Sequence, residues 1–266
     1  MMLHADTLWT LLKQLREDRP LVHVISNLVA MTPVANALLA VGAAPIMAHA
    51  EVEVAEITAA ADALVINLGT FEPTREGAIR RAMAQAADLG RPIILDPVGV
   101  AASTPRRVLA LDLLATTPVS VLRGNAAEIR ALAGETSTDR GVDSRAASDT
   151  ALAAARCLGE NRVVVVSGKR DLLVSRHRSL AVNNGHPLMS RVTAMGCIAS
   201  ALCGAFAAVE PDPLGACAAA MATMGLAGER AGIHAVGPGS LAVGFVDALY
   251  GLAHGDLTRL RITPLA

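Results

Sequence analysis

Residues 192 to 197 read Val-Thr-Ala-Met-Gly-Cys and run directly into the apolar stretch Ile198 to Val209. A turn of small residues opening a helix presents backbone N–H groups that have no acceptor of their own. They lie at the positive end of the helix dipole and collect phosphate or carboxylate. Cys197 stands at that junction, where the same field favours thiolate over thiol. Its other reading is a small apolar residue packing the first turn. Two further motifs carry charge to the ends of apolar runs: Asp96-Pro97-Val98-Gly99 after Ile93 to Leu95, and Arg123-Gly124-Asn125-Ala126-Ala127-Glu128 after Val119 to Leu122. Ligands in open α/β sheets bind beyond the carboxyl ends of strands, so Asp96 and Glu128 there are candidates for metal or phosphate work. An isolated carboxylate is equally an N-cap or a solvated acid. Arg123 is more telling, because an always-charged side chain at a strand end is rarely buried without a partner.

The elements that would hold these groups follow from hydrophobic patterning. Leu8, Leu11, Leu12 and Leu15 predict an opening helix, and Leu21 to Ile25 a strand after Pro20. Thr32-Pro33 supplies an N-cap and a proline at the first helical position, with Gly42 closing the helix over Val34 to Val41. Runs at 44–47, 63–67, 93–96, 119–122 and 163–167 are rich in Val, Ile and Leu without period-two alternation, as strands buried on both faces are. Helical segments near 52–60, 75–87, 126–133 and 147–157 lie between them. Such alternation specifies an α/β fold with a central, mainly parallel sheet and helices on both faces. Leu172 to Val174 and Leu180 to Val182, joined by Ser175 to Ser179, predict a hairpin, and everything from Cys197 onward reads as helix.

Composition removes several classes of function. The 266 residues contain no linker-like or low-complexity tract, so one domain over 1–266 is expected. Net charge is −1 and aromatic residues are 2% of the chain, which leaves neither the basic face nor the stacking rings of a nucleic-acid binder. No apolar run reaches the ~20 residues of a membrane span and no secretory leader opens the chain, so a soluble cytoplasmic protein is expected. The four cysteines form no C-x-x-C pair and the seven histidines no i, i+4 pair, against a structural zinc site. Apolar residues at 53% against 18% charged require a core large relative to the surface or surface buried in an oligomer, and an oligomer is the default expectation.

Neither a P-loop sequence nor a G-x-G-x-x-G after the first strand is present. A phosphate-binding turn that comes late, just before C-terminal helices, is the arrangement of ribokinase-like kinases. Within them the chain resembles the hydroxyethylthiazole kinase family over almost its whole length. The resemblance is carried by 22–27 (Val-His-Val-Ile-Ser-Asn), 35–48, 95–99, 123–129, 141–144 (Gly-Val-Asp-Ser), 191–197, 237–240 (Gly-Pro-Gly-Ser) and 247–250.

This resemblance implies transfer of the ATP γ-phosphoryl group to a thiazole alcohol, with Mg²⁺, in a homotrimer whose active sites lie between subunits. It implies thiazole contacts from Met47, Asn27 and Ala194, ATP contacts from Arg123, Ser167 and Gly196, and Mg²⁺ and phosphate managed through water by Asp96 and Glu128. Cys197 takes the position where sibling sugar kinases carry a general base. Four departures from the family pattern stand out: Ser26 for Thr, Ser167 for Thr, the pair Ala194-Met195 for Gly-Thr or Gly-Ala, and Lys169 for an acidic residue. Ala194 matters most, since a Cβ restricts the positive φ and close ligand approach that glycine permits. A sibling kinase of another small alcohol, such as hydroxymethylpyrimidine kinase, and a catalytically weakened nucleotide- or thiazole-binding trimer are the alternatives. A cysteine-nucleophile hydrolase lacks a histidine partner carried by any motif.

Overall fold

The computed structural model describes residues 3–135 and 148–265; the motif at 141–144, and the start of the helix expected from 147, lie outside them. In chain order the elements are α1 (Ala5–Asp18), β1 (Leu21–Ile25), α2 (Met31–Val41), β2 (Ala44–Ile46), α3 (Val54–Ala60), β3 (Ala63–Asn67), α4 (Glu76–Asp88), β4 (Ile93–Asp96) and α5 (Thr104–Thr116). They continue with β5 (Val121–Asn125), α6 (Ala126–Leu132), α7 (Leu152–Leu158), β6 (Val163–Ser167), β7 (Asp171–Val174), β8 (Ser179–Val182), α8 (Met195–Ala207), α9 (Pro213–Gly232), α10 (Pro238–Gly251) and β9 (Ile262–Pro264).

The strands form one sheet in the order β2-β1-β3-β4-β5-β6-β7-β8-β9. Every pair from β2 to β6 is parallel, and β7, β8 and β9 add an antiparallel edge. Alternate residues of one strand serve two cores. Val163 and Val165 face the layer of α1, α2, α8, α9 and α10, while Val164 and Val166 face that of α4 to α7. A strand buried on both faces needs Val, Ile or Leu at every position, which is why these runs lack alternation. The small-residue helices lie close to the sheet. A Cβ at Gly204 in α8 would stand 2.6 Å from Cγ2 of Val65 in β3.

Several boundaries differ from the sequence reading. Helix α2 begins at Met31, with Ala30 rather than Thr32 at the cap position and no side-chain cap. Pro33 is tolerated because its missing N–H falls in the first turn, where it would have no acceptor. Gly42 closes the helix at φ +110°, as expected of a glycine cap. β5 runs through Arg123 to Asn125, which the sequence placed after the strand; pairing with β6, from Val121 beside Val163 to Asn125 beside Ser167, carries the ladder past the charge. The helix expected over 147–157 is a 3₁₀ turn, Ser148–Ala151, followed by α7. α5 was not anticipated, because exposed Val108 and Leu111 blur its apolar stripe of Leu109, Leu113 and Leu114. The C-terminal part is not all helix. β9 returns to pair with β8, a three-residue edge strand too short to show a period.

Candidate active site

The parallel strands all point their carboxyl ends at one rim, and α8 begins above it. In β3 and β4, Asn67 and Asp96 are direct neighbours in the parallel register. Asn67 Nδ2 donates to Asp96 Oδ2 at 2.7 Å, and Ser200 Oγ, from the second turn of α8, donates to the same oxygen at 2.9 Å. Asp96 is wholly buried, and its Oδ1 has no hydrogen-bond partner. Burial raises its pKa above the ordinary carboxylate value, opposed by Arg123, Ser200 and Asn67.

Arg123 rises from β5 beside it. Its Nη1 lies 3.9 Å from Asp96 Oδ1 and its Nη2 donates to Ser167 Oγ at 2.5 Å. The guanidinium is nearly buried, and its Nε is without a partner. It passes directly under the start of α8, since a Cβ at Gly196 would meet Nη1 at 2.6 Å. A cation, an unpartnered N–H and a helix N-terminus thus meet at one place.

Helix α8 opens on Ala194 at φ +67°, a left-handed conformation that an L side chain adopts at a cost of about 1–2 kcal/mol. No side chain caps the helix. The N–H of Ile198 is the first to close an α-turn, onto the Ala194 carbonyl at 2.8 Å. The N–H groups of Met195, Gly196 and Cys197 precede that first bond and suit an anion.

Cys197 lies one turn into this helix, among amides. Asn27 Nδ2 donates to Cys197 Sγ at 3.3 Å and Asn67 Nδ2 at 3.2 Å. The expectation that the helix end favours thiolate is overturned. Burial and then the Asp96 charge push the thiol up to about 11, and Arg123 and the two amides only partly oppose them. The sequence showed a cysteine at a helix N-terminus but not how deeply the neighbouring strand ends enclose it.

Glu128 is the N3 residue of a capping box at the start of α6. Asn125 Oδ1 accepts from the Glu128 N–H, and Glu128 Oε2 accepts from the Asn125 N–H, each at 2.9 Å. Its Oε1 accepts from the Gly99 N–H at 2.9 Å, which ties the loop after β4 to the end of β5. Burial, followed by the Asp96 charge, pushes its carboxyl up to about 7, against the pull of the two backbone donors and Arg123.

Asn27 follows β1, and its Oδ1 accepts from the N–H groups of Val29 and Ala30, both at 3.0 Å. Met47, just past the edge strand β2, stands apart from this hydrogen-bonded group, half-buried against the apolar layer that includes Ala194 and Cys197. His23 is a core residue, its ring nitrogens 2.9 Å from Thr58 Oγ1 and 3.0 Å from the Ala48 carbonyl. Sequence reasoning missed Asn67, Ser200 and Asp171. Asn67 could have been found as the one amide ending an otherwise apolar strand. Ser200 lies inside an apolar helix with no motif, and Asp171 is hidden in a polar turn, where its buried carboxyl accepts from the Gly168 N–H at 2.9 Å. Among the described residues no group of three His, Cys, Asp or Glu side chains could hold a metal by itself, and no helix is long and apolar enough to cross a membrane.

Comparison with known proteins bears on the family and the fold. Residues 12–255 match the model of the hydroxyethylthiazole kinase family. The hydroxyethylthiazole kinase of Granulibacter bethesdensis is 53% identical over 244 residues, covering 91% of this chain and 89% of that protein. The structure of hydroxyethylthiazole kinase protein from Pyrococcus horikoshii superposes with a TM-score of 0.87 at 39% identity, covering 98% of this chain and all of that one. A ribokinase-like superfamily protein from Enterococcus faecalis shares the fold alone, with a TM-score of 0.62 at 14% identity, covering 93% of this chain and 94% of that one.

Proposed function

Since the chain belongs to the hydroxyethylthiazole kinase family, we propose that it transfers the γ-phosphoryl group of ATP to the primary hydroxyl of 4-methyl-5-(2-hydroxyethyl)thiazole, in thiamine biosynthesis and salvage. The new bond joins the alcohol oxygen to phosphorus, the bond from the γ-phosphorus to its bridging oxygen breaks, ADP departs and the hydroxyl proton is released. The family match over nearly the whole chain carries the reading.

Phosphoryl transfer passes through a loose transition state, so the protein's work is mainly to position the reactants and neutralise charge. Arg123 and Ser167 bind the ATP phosphates together with the free N–H groups at the start of α8, where Gly196 leaves room for the guanidinium. Asn27, Ala194 and Met47 hold the thiazole. Cys197 stands at the reacting hydroxyl. With its pKa pushed up to about 11 it is a thiol at neutral pH, so it orients the hydroxyl, and the proton leaves late in the transfer.

The residues fit Mg²⁺ held through water. The buried Asp96 Oδ1 lacks a hydrogen-bond partner, which leaves it free to accept from water carried by a hydrated cation. Asp96 and Glu128 are the side chains that would hold it, where it would supply neutralisation of phosphate charge. The assembly we propose is a homotrimer in the cytoplasm, with active sites between subunits.

The decisive measurement is ADP release with the thiazole alcohol and with hydroxymethylpyrimidine, each with and without Mg²⁺. Mg²⁺-dependent release with the thiazole alcohol is the expected result. Release with the pyrimidine alone reassigns the protein to a sibling activity, and release with neither makes it a binding protein.

A further inference from the structure

Asn67 uses its whole hydrogen-bonding capacity at the junction of Asp96 and Cys197. A side-chain amide has two N–H donors and an oxygen with two lone pairs. Both N–H groups are engaged, one with Asp96 Oδ2 at 2.7 Å and one with Cys197 Sγ at 3.2 Å. Both lone pairs are engaged as well, by the Gly69 N–H at 2.9 Å and Asn27 Nδ2 at 2.9 Å. Its orientation is therefore determined: turning the amide over would set its oxygen against the Asp96 carboxylate and its N–H groups against two donors. Asn27 is fixed in the same way, because its oxygen already takes the Val29 and Ala30 N–H groups. The sulfur receives two N–H groups from these two locked amides, so its lone pairs are occupied and its S–H bond must point away from them.

We infer that Asn67 is a positioning residue for phosphoryl transfer, fixing the Cys197 sulfur and the direction of its S–H bond relative to Asp96. The inference rests on the kinase reading. Its geometry is independent of substrate identity. Neither β3 nor α8 alone sets this arrangement: β3 supplies Asn67 beside Asp96 through strand register, and α8 supplies the sulfur from above. The Asn67 amide is buried, only 3% exposed, so its other bonds, to Asp96 and Asn27, are shielded from water and hold its plane against the partly exposed sulfur.

The test has two arms, both on the full-length protein. In the first, kcat and KM are compared for Asn67→Ala, Cys197→Ala and the double variant. A residue acting through Cys197 lowers kcat by about tenfold or more while KM for both substrates stays within about twofold, and the loss shrinks at least threefold once Cys197 is gone. Asn67→Ser, which keeps an acceptor for the Gly69 N–H, replaces Asn67→Ala should that variant not fold. In the second arm the protein carries ¹⁵N only in asparagine, and the side-chain N–H resonances of Asn67 and Asn27 are followed on Cys197→Ala. Both sets are expected to move. Unmoved resonances, or losses that multiply with less than threefold coupling, overturn the inference. If the parent phosphorylates neither the thiazole alcohol nor hydroxymethylpyrimidine, the kinase reading fails on that result and takes the role in phosphoryl transfer with it, while the resonances still decide whether Asn67 fixes the Cys197 sulfur.

Discussion

Ala194 occupies, at φ +67°, a conformation that glycine enters freely. The resemblance singles out the same position as one where the family carries glycine. Ala194→Gly relieves strain in the folded chain and raises the entropy of the unfolded one, two effects of about 1 kcal/mol each and opposite sign. Unfolding in urea should therefore change little, while turnover equals or exceeds that of the parent. A large fall in turnover at unchanged stability would mean that the alanine methyl belongs to a refitted substrate pocket. Two residues on, Gly196→Ala should behave in the opposite way. Its Cβ would collide with Arg123 Nη1, the mobile end of a side chain, so the fold survives and the guanidinium is displaced from Ser167. KM for ATP should rise about tenfold, the effect of losing one charge-assisted contact, with the thiazole KM little changed. Equal ATP affinity in the variant would remove Arg123 from the phosphate site.

At the scale of elements, the turn from β6 to β7 stores a pH dependence. Asp171 accepts from the Gly168 N–H, and burial pushes its carboxyl up to about 7 against the opposing pull of that bond and of Arg123. A carboxyl whose pKa is raised by folding holds its proton more tightly in the native state, so stability is greatest below the unfolded value of about 3.9 and declines as pH rises to about 7. The decline should be of the order of 2–4 kcal/mol. Denaturant titrations between pH 5 and 8 should show this slope in the parent and a shallower one in Asp171→Asn; parallel slopes would show that the carboxyl is not the source. Much of the sheet was legible in the sequence, because a strand buried on both faces must be apolar throughout, and 63–67 and 93–96 are read directly from that rule. The end of β5 was not, since Arg123 looks like a terminator until its partner strand is known. In the candidate site, the charged groups that lie together, Asp96, Arg123 and Glu128, were legible because charge follows an apolar run there. The site was illegible where neutral amides and a serine act, because Asn67 and Ser200 gain meaning only from what the fold brings against them.

For the whole molecule, part of the apolar excess seen in composition reaches the surface. Leu28, Val29 and Leu39, around α2, and Val243 and Tyr250, on the neighbouring α10, are all exposed. Sedimentation equilibrium at micromolar concentration should give three times the 27.3 kDa chain mass, and Leu39→Glu should shift the distribution toward single chains. A parent that sediments as one monomeric species excludes the trimer and with it any site between subunits. The close seating of α8 on the sheet has a further consequence. Val65, the residue that Gly204 lies against, belongs to the strand that ends in Asn67, and Cys197 lies about two turns, roughly 10 Å, up the same helix from Gly204. The absent methyl therefore acts as a depth gauge, and a helix raised by Gly204→Ala would lift the sulfur off its amides with every residue of the rim still present. Such a protein should bind ATP and fold, yet turn over slowly, its fault lying in a spacing set two turns away from the chemistry.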